Sequence, residues 1–309
     1  MSNHHIYQIA VLGAGAWGSI LAKLASQKEH QVNLWTRQGE VSLADCLTEA
    51  DIVISAISMK GVSEVAKQVK ASQLPAHTIL VTATKGLDAT TSRTPSQIWQ
   101  EGFPQNSVVV LSGPNLSKEI GQGLPAATVV SSANKAAAET VQTVFSSDRF
   151  RVYTNTDPIG TELGGTLKNV IAIAVGVCDG LQLGTNAKSA LITRALTEII
   201  RVGTHLGGQT ETFFGLSGLG DLLATCSSPL SRNYQVGFRL SQGNSLEQIL
   251  AELQGTAEGV NTANVLIDIA RRENIPVPVS LQVYRLLNGK ITPRQAVEAL
   301  MERDLKSEA

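Results

Sequence analysis

Lys168 stands in the run Gly164-Gly165-Thr166-Leu167-Lys168-Asn169, followed by Val170, Ile171, Ala172, Ile173, Ala174 and Val175. A helix apolar nearly all round is usually buried, and a buried ammonium is costly unless it is paired or its pKa falls. An amine shifted in that way exchanges protons near neutral pH. The ordinary alternative is a lysine whose stem crosses the helix surface while its head reaches water.

A second stretch is suited to anions. In IAVLGAGAWGSILAKLA, Gly13, Gly15 and Gly18 follow an apolar run and open a helical pattern, with Ala16 and Trp17 between the last two. Gly13 permits a tight turn, Gly15 lets the backbone approach a pyrophosphate, and Gly18 lets helix and strand pack closely. The amides at the helix start would then hold the anion; without a ligand this is only a glycine-rich turn. The next strand, QVNLW, ends in Trp35-Thr36-Arg37-Gln38, with no acid before Glu40. A carboxylate there would hold a ribose 2′-hydroxyl, whereas Arg37 can pair with a 2′-phosphate. The cofactor expected is NADP or NAD, with NADP favoured; otherwise Arg37 is an ordinary solvated arginine.

Three further stretches are more polar or glycine-rich than packing requires. TATKGLDA puts Lys85 past the fourth strand, at the carboxyl edge where doubly wound sheets bind ligands. GLSGLGDLLATCSSPLSRNYQVG carries Asp221 after three glycines, then Ser231-Arg232-Asn233, and QGTAEGVNTA sets Glu258 at another helix start. Taken singly, Lys85 reads as a solvated loop lysine, Asp221 and Ser231 as N-caps, and Glu258 as a first-turn acid.

The elements that must position these residues fall into two parts. Up to about Thr154, seven short strand-like runs (IYQIAVLG, QVNLW, DIVISAI, HTILVTAT, SVVVLSG, AATVVSS and RFRVY) alternate with helical patterns such as GVSEVAKQVKA. In the latter, Val62, Val65, Ala66 and Val69 fall at i, i+3, i+4 and i+7. The alternation predicts an α/β fold over residues 1–154, a Rossmann-like doubly wound parallel sheet with helices on both faces. Asp157-Pro158 then supplies an N-cap and N1 pair. Residues 155–309 read as an all-α domain, with helices expected over 186–206, 258–272 and 293–303.

With 309 residues, 43% hydrophobic and 17% charged, the chain can bury two cores. Twenty-five basic residues against 26 acidic ones, without a basic block, predict no nucleic-acid or membrane-surface partner. MSNHHIYQ lacks the regions of a signal peptide, and the apolar run from Val170 to Cys178 is too short to span a bilayer. Cys46, Cys178 and Cys226 have no disulfide or metal spacing, and the pair His4-His5 reads as a loose terminus. A cytoplasmic protein without a metal is the expectation.

Taken in order, GAGAWG, TKGL, SGPN, ELGGTLKNVIAIAVG, GLGDLLATCSS, SRN and AEGV closely resemble the bacterial NAD(P)-dependent glycerol-3-phosphate dehydrogenase family, from the first strand to at least Pro278. The resemblance implies reversible reduction of dihydroxyacetone phosphate to sn-glycerol 3-phosphate, a precursor of phospholipids. By motif, Lys168 resembles the family's proton donor and acceptor. Lys85, Gly113, Asn115, Asp221, Ser231, Arg232 and Asn233 match its substrate positions, as Lys168 itself does. Gly13, Gly15, Ala16, Trp17, Gly18, Arg37, Lys85, Ser117, Arg232 and Glu258 match cofactor positions. These residue types suit the chemistry. Hydride arriving at C2 leaves an alkoxide that needs a proton and a positive field. Burial and Lys85 would lower the Lys168 pKa, and a nearby Asp221 would oppose them.

The chain departs from the family in two places. The connection after Arg37, GEVSLADCLTEA, is short, and Ser58-Met59-Lys60 stands where a proline-containing turn is common. Two rival readings are weaker. A hydroxy-acid reductase has no use for SRN after GLGDLLATC, and a non-catalytic NADP sensor has no reason to keep both Lys85 and Lys168. Exposed apolar helices in the second part point to a homodimer.

Overall fold

A computed structural model describes residues 5–302. All seven expected strands form: β1 (Gln8–Leu12), β2 (Gln31–Trp35), β3 (Ile52–Ser55), β4 (Ile79–Thr82), β5 (Val108–Ser112), β6 (Ala126–Ser131) and β7 (Phe150–Asn155). Among them lie α1 (Ala16–Ser26), α2 (Leu43–Leu47), α3 (Met59–Ala71), α4 (Pro95–Gly102), α5 (Ser117–Gly121) and α6 (Lys135–Phe145). The strand order is β2-β1-β3-β4-β5-β6-β7. Strands β1 to β5 are parallel, but β6 pairs antiparallel with β5 and β7 parallel with β6. The expectation of a wholly parallel sheet is therefore corrected at this edge. Helix α5 has five residues, a rise of only about 7–8 Å. That is less than half the length of a strand, so the chain turns back instead of crossing over.

Alternate strand residues serve opposite faces. Ile9, Val11, Ile54, Val81 and Val109 pack under α1 and α6, while Ala10, Leu12, Val53 and Leu80 pack under α2, α3 and α4. Strand order reverses at β1, between β2 and β3, which opens a crevice outside the carboxyl ends of the strands.

From Asp157 onward the described residues form helices and loops. Asp157 accepts from the Gly160 N–H at 2.8 Å, with Pro158 at N1, and starts α7 (Pro158–Gly180). There follow α8 (Gly184–His205), α9 (Thr210–Phe214), a π-helical turn (Leu216–Gly220), α10 (Asp221–Ser227), α11 (Arg232–Ser241), α12 (Leu246–Glu252), α13 (Glu258–Arg272), α14 (Pro278–Leu287) and α15 (Pro293–Met301). The helices expected over 186–206, 258–272 and 293–303 are α8, α13 and α15; Arg303, like His4, lies outside the described residues. Helix α7 is the centre of this lobe, with α8, α10, α11, α13 and α14 packed around it. It is long and apolar enough to cross a membrane, yet 83% of its apolar window is buried inside the fold. It is a core helix, and Lys168 is carried at its middle. All three cysteines are free and buried.

Candidate active site between the sheet and the helical lobe

Glycines shape the β1–α1 turn. Gly13 has φ 109° and donates to the Trp35 carbonyl at 2.8 Å, and a Cβ on it would lie 2.7 Å from the Ala56 carbonyl oxygen. Any other residue would be strained there. Around Gly15 the opposite holds. Nothing lies within 4 Å of an added Cβ, and the N-terminus of α1 has no side-chain cap. Open space over uncapped helix amides fits a dinucleotide pyrophosphate. Ala16 is exposed and Trp17 half-buried in the first turn of α1, and Ser117 opens α5, which packs on α1. Arg37 is exposed past β2 at the sheet edge, its Nη2 3.1 Å from where a Gly61 Cβ would sit in the first turn of α3.

Lys168 and Lys85 meet at one carboxylate. Lys168 is 6% exposed; its Nζ lies 3.0 Å from Asp221 Oδ1 and donates to Thr225 Oγ1 at 2.5 Å. Lys85 donates to Asp221 Oδ2 at 2.6 Å and to the Gly113 carbonyl at 3.0 Å. Thr225 in turn donates to Asp221 Oδ1 at 3.1 Å. Asp221 is thus the first residue of α10 rather than its N-cap, and it bridges one ammonium from each lobe. Lys168 does not reach bulk water along the helix surface. Burial, the largest cause, pulls its pKa down to about 8; Asp221 pushes it up and Lys85 pushes it further down. The neighbouring Cys226 thiol is driven up to about 12 by burial and stays protonated.

Gly165 faces the sheet where α7 approaches β5. A Cβ there would sit 2.3 Å from Ser112 Oγ and 3.4 Å from Lys85 Cε. A side chain there would first have to displace the Ser112 hydroxyl, on the face where α7 meets β5 and Lys85.

Beside Lys168, Asn169 Oδ1 accepts from Asn233 Nδ2 at 2.9 Å, and Asn233 Oδ1 accepts from the Gly259 N–H at 2.9 Å. The start of α11 is thereby tied to the start of α13. Ser231 caps α11 by accepting from the Tyr234 N–H at 3.2 Å. Arg232 is exposed beside Gly255. Burial raises the Glu258 pKa, while the Met59 N–H and the Arg232 charge oppose that rise. Glu258 Oε1 accepts from Met59 N–H at 3.0 Å, joining α13 to the first turn of α3. Asn115 donates to Thr128 Oγ1 at 3.0 Å, past the turn at Gly113.

Of the residues singled out from the sequence, Lys85, Gly113, Lys168 and Asp221 form one cluster. Ser231, Arg232, Asn233 and Glu258 gather at the paired starts of α11 and α13. Arg37 stands apart at the β2 edge, three strand positions from β4. Two residues escaped the sequence reading, although both left a signal. Thr225 is four residues after Asp221, which puts them on one helix face, and Asn169 is a lone amide inside an apolar helix.

The family model of the NAD-dependent glycerol-3-phosphate dehydrogenase C-terminus matches residues 157–298. That of the N-terminus matches residues 8–42 and 38–138, two pieces that meet at the short connection after Arg37. The chain is 66% identical over 301 residues to the NAD(P)+ glycerol-3-phosphate dehydrogenase of Acaryochloris marina, covering 97% of each. It is also 66% identical to that of Synechocystis sp., covering 97% of this chain and 95% of the relative. The solved glycerol-3-phosphate dehydrogenase of Coxiella burnetii superimposes with a TM-score of 0.92 at 34% identity, covering 96% of this chain and 99% of that one. Matches of this extent, over both lobes and the lysine cluster between them, show that the chain belongs to the NAD(P)-dependent glycerol-3-phosphate dehydrogenase family, oxidoreductases acting on a CH–OH group.

Proposed function

We propose that this chain reversibly reduces dihydroxyacetone phosphate to sn-glycerol 3-phosphate, with Lys168 as the proton donor in that direction and the acceptor in the other. The observation that carries the reading is the Asp221 carboxylate held between Lys168 and Lys85. Nicotinamide chemistry, with the cofactor bound, would supply the hydride for C2. The alkoxide takes a proton from the Lys168 ammonium, and the neutral amine left behind regains one from water. Lys85 strengthens the positive field at that oxygen, and Asp221 with Thr225 orients the Lys168 amine. A pKa of about 8 keeps the ammonium in the majority at neutral pH and leaves neutral amine for the oxidation.

Arg232, with Ser231, Asn233 and the amides at the starts of α11 and α13, would grip the substrate phosphate. Gripping the phosphate away from C2 turns binding energy into alignment of the carbonyl; Gly113 and Asn115 would complete the substrate site. Gly13, Gly15, Ala16, Trp17, Gly18, Ser117 and Glu258 would hold the cofactor, and the exposed Arg37 favours NADP. The two lobes serve as a cofactor domain and a substrate domain. On the outer face of the helical lobe, α7, α8, α14 and α15 enclose an apolar groove of about 510 Å³, with Leu183 and Met301 exposed. This groove supports a homodimer. The setting that fits is the cytoplasm, upstream of phospholipid synthesis.

The test follows NADPH absorbance with dihydroxyacetone phosphate. Wild type should turn over, and Lys168→Ala should lose about 10³-fold in kcat, the scale of general acid catalysis. A mutant near the wild-type rate removes Lys168 from the mechanism. Turnover only with a phosphate-free hydroxy acid overturns the substrate.

A further inference from the structure

Glu162 lies six residues before Lys168 on α7 and is 2% exposed. Its carboxylate reaches out of the helical lobe to the first turn of α4. There Oε1 accepts from the Ser96 N–H at 2.9 Å and Oε2 accepts from the Ser96 hydroxyl. Thr94 already caps α4 by accepting from the Gln97 N–H. Glu162 therefore satisfies a second helix amide that Thr94 leaves open. Among the described residues no ion pair includes Glu162, and burial dominates its raised pKa, opposed by the Ser96 and Thr94 groups. A buried carboxylate without a cation is an expensive way to finish a helix, which asks for a use beyond capping.

That use lies in the segment just before α4. The strap from Thr84 to Thr94 leaves β4 carrying Lys85 and crosses to the helical lobe. Leu87 is 1% exposed within the helical core, and its carbonyl accepts from Asn261 Nδ2 at 2.8 Å. The strap then returns to the sheet at α4. Its two ends lie along one ridge of α7, where Glu162, Gly165 and Lys168 follow at i, i+3 and i+6. Gly165 leaves room for the Lys85 stem at the start of the strap, where a Cβ would come within 3.4 Å of Lys85 Cε, and Glu162 grips Ser96 just past its end. The helix that carries Lys168 thus also fixes the segment that delivers Lys85.

We propose that Glu162 is a positioning residue for the dehydrogenase reaction: by gripping the first turn of α4 it fixes the strap that brings Lys85 to Asp221 and the substrate. The proposal rests on the reading that Lys85 contacts the substrate. Glutamine can make both contacts, accepting from the Ser96 N–H and donating to the Ser96 hydroxyl, whereas methionine of similar length makes neither.

The experiment measures steady-state kinetics with NADPH and dihydroxyacetone phosphate for Glu162→Gln, Glu162→Met, Lys85→Ala and the double variant Glu162→Met/Lys85→Ala. Glu162→Met should raise KM for dihydroxyacetone phosphate about tenfold and leave KM for NADPH within about twofold, the scale of losing one aligned charged contact. Glu162→Gln should stay close to wild type. In the Lys85→Ala background, Glu162→Met should add nothing, because its effect passes through Lys85. An unchanged KM in Glu162→Met, equal damage in Glu162→Gln, or full additivity with Lys85→Ala overturns the proposal. If Glu162→Met does not fold, Ser96→Ala takes its place. It removes one of the two donors and should raise the same KM severalfold; no change there is equally fatal. Lys85→Ala alone leaving that KM unchanged would overturn the underlying reading of Lys85, a result distinct from the others.

Discussion

Replacing Asp221 by asparagine tests the charge arrangement directly. Asparagine keeps an oxygen that can accept from Lys168 but removes the negative charge 3.0 Å from its Nζ. At an effective dielectric constant of about 20, a charge pair at that distance is worth roughly 5–6 kcal/mol, or about four pKa units as an upper bound. The loss of charge assistance in one hydrogen bond sets a lower bound of about one unit. Burial and Lys85, the two causes that lower the Lys168 pKa, both persist in the variant. The wild-type pKa of about 8 should therefore fall by one to four units. In the oxidation direction the neutral amine is the active form, so the rising limb of kcat/KM against pH should move to acid. In the reduction direction the ammonium is active, and the falling limb should move the same way. Heights will drop too, since Asp221 also orients the lysines; the informative quantity is the position of the limb. Lys85→Met should move it oppositely, because a like charge is removed. A limb that stays near 8 in Asp221→Asn, or that persists in Lys168→Ala, refutes the assignment of this pKa to Lys168.

Arg232→Ala should raise KM for dihydroxyacetone phosphate about 10- to 100-fold, the loss of a charged fork on a phosphate; an unchanged KM removes Arg232 from the phosphate site. Arg37→Ala should raise KM for NADPH about five- to tenfold and leave that for NADH within about twofold, since an exposed cation contributes modestly; equal effects on the two coenzymes refute a role at the 2′-phosphate. Glu162 also predicts a pH dependence of stability. Its pKa rises from 4.5 to about 7 on folding, so across that window the folded chain holds a proton that the unfolded chain has released. Stability should fall as pH rises through the window, by about 3 kcal/mol from this group. Glu162→Gln should flatten that slope in chemical denaturation between pH 5 and 8, and parallel profiles for the two proteins refute it.

Local signals carried most of the fold. β-Branched runs bounded by turn residues marked all seven strands, and Asp157-Pro158 marked the start of α7. What a local reading missed was the direction of β6. That direction depends on how far α5 carries the chain, and nothing in AATVVSS itself records it. The site divides along the same line. Lys168 was legible because a lysine inside an apolar run violates the pattern around it. The burial of Glu162 was not, because an acid at the start of a helix looks ordinary until its partner, Ser96, arrives from 66 residues away. Asp221 read as a cap for a similar reason. Its two ammonium partners come from α7 and from the strap, and only tertiary packing places them on one carboxylate.

The partners of the buried carboxylates show where protons can move in this molecule. Asp157 accepts from the Gly160 and Gln209 N–H groups, Glu162 from Ser96, and Glu198 from the Val279 and Ser280 N–H groups. Neither a backbone amide nor the Ser96 hydroxyl hands its proton on near neutral pH, so the partners of those three carboxylates are fixed and serve the packing of helices. Among the buried carboxylates of the described residues, Asp221 alone is paired with amines. If Lys168 were its only cation, each proton given to substrate would leave a buried carboxylate unpaired, a cost of several kcal/mol at the moment of reaction. With Lys85 on its other oxygen at 2.6 Å, Asp221 stays paired while Lys168 becomes neutral. In the proposed mechanism, the second lysine is thus what lets the first one cycle between its two forms. Because Lys85 is delivered by the sheet lobe and Lys168 by the helical lobe, that cycling requires the seam between them to stay closed.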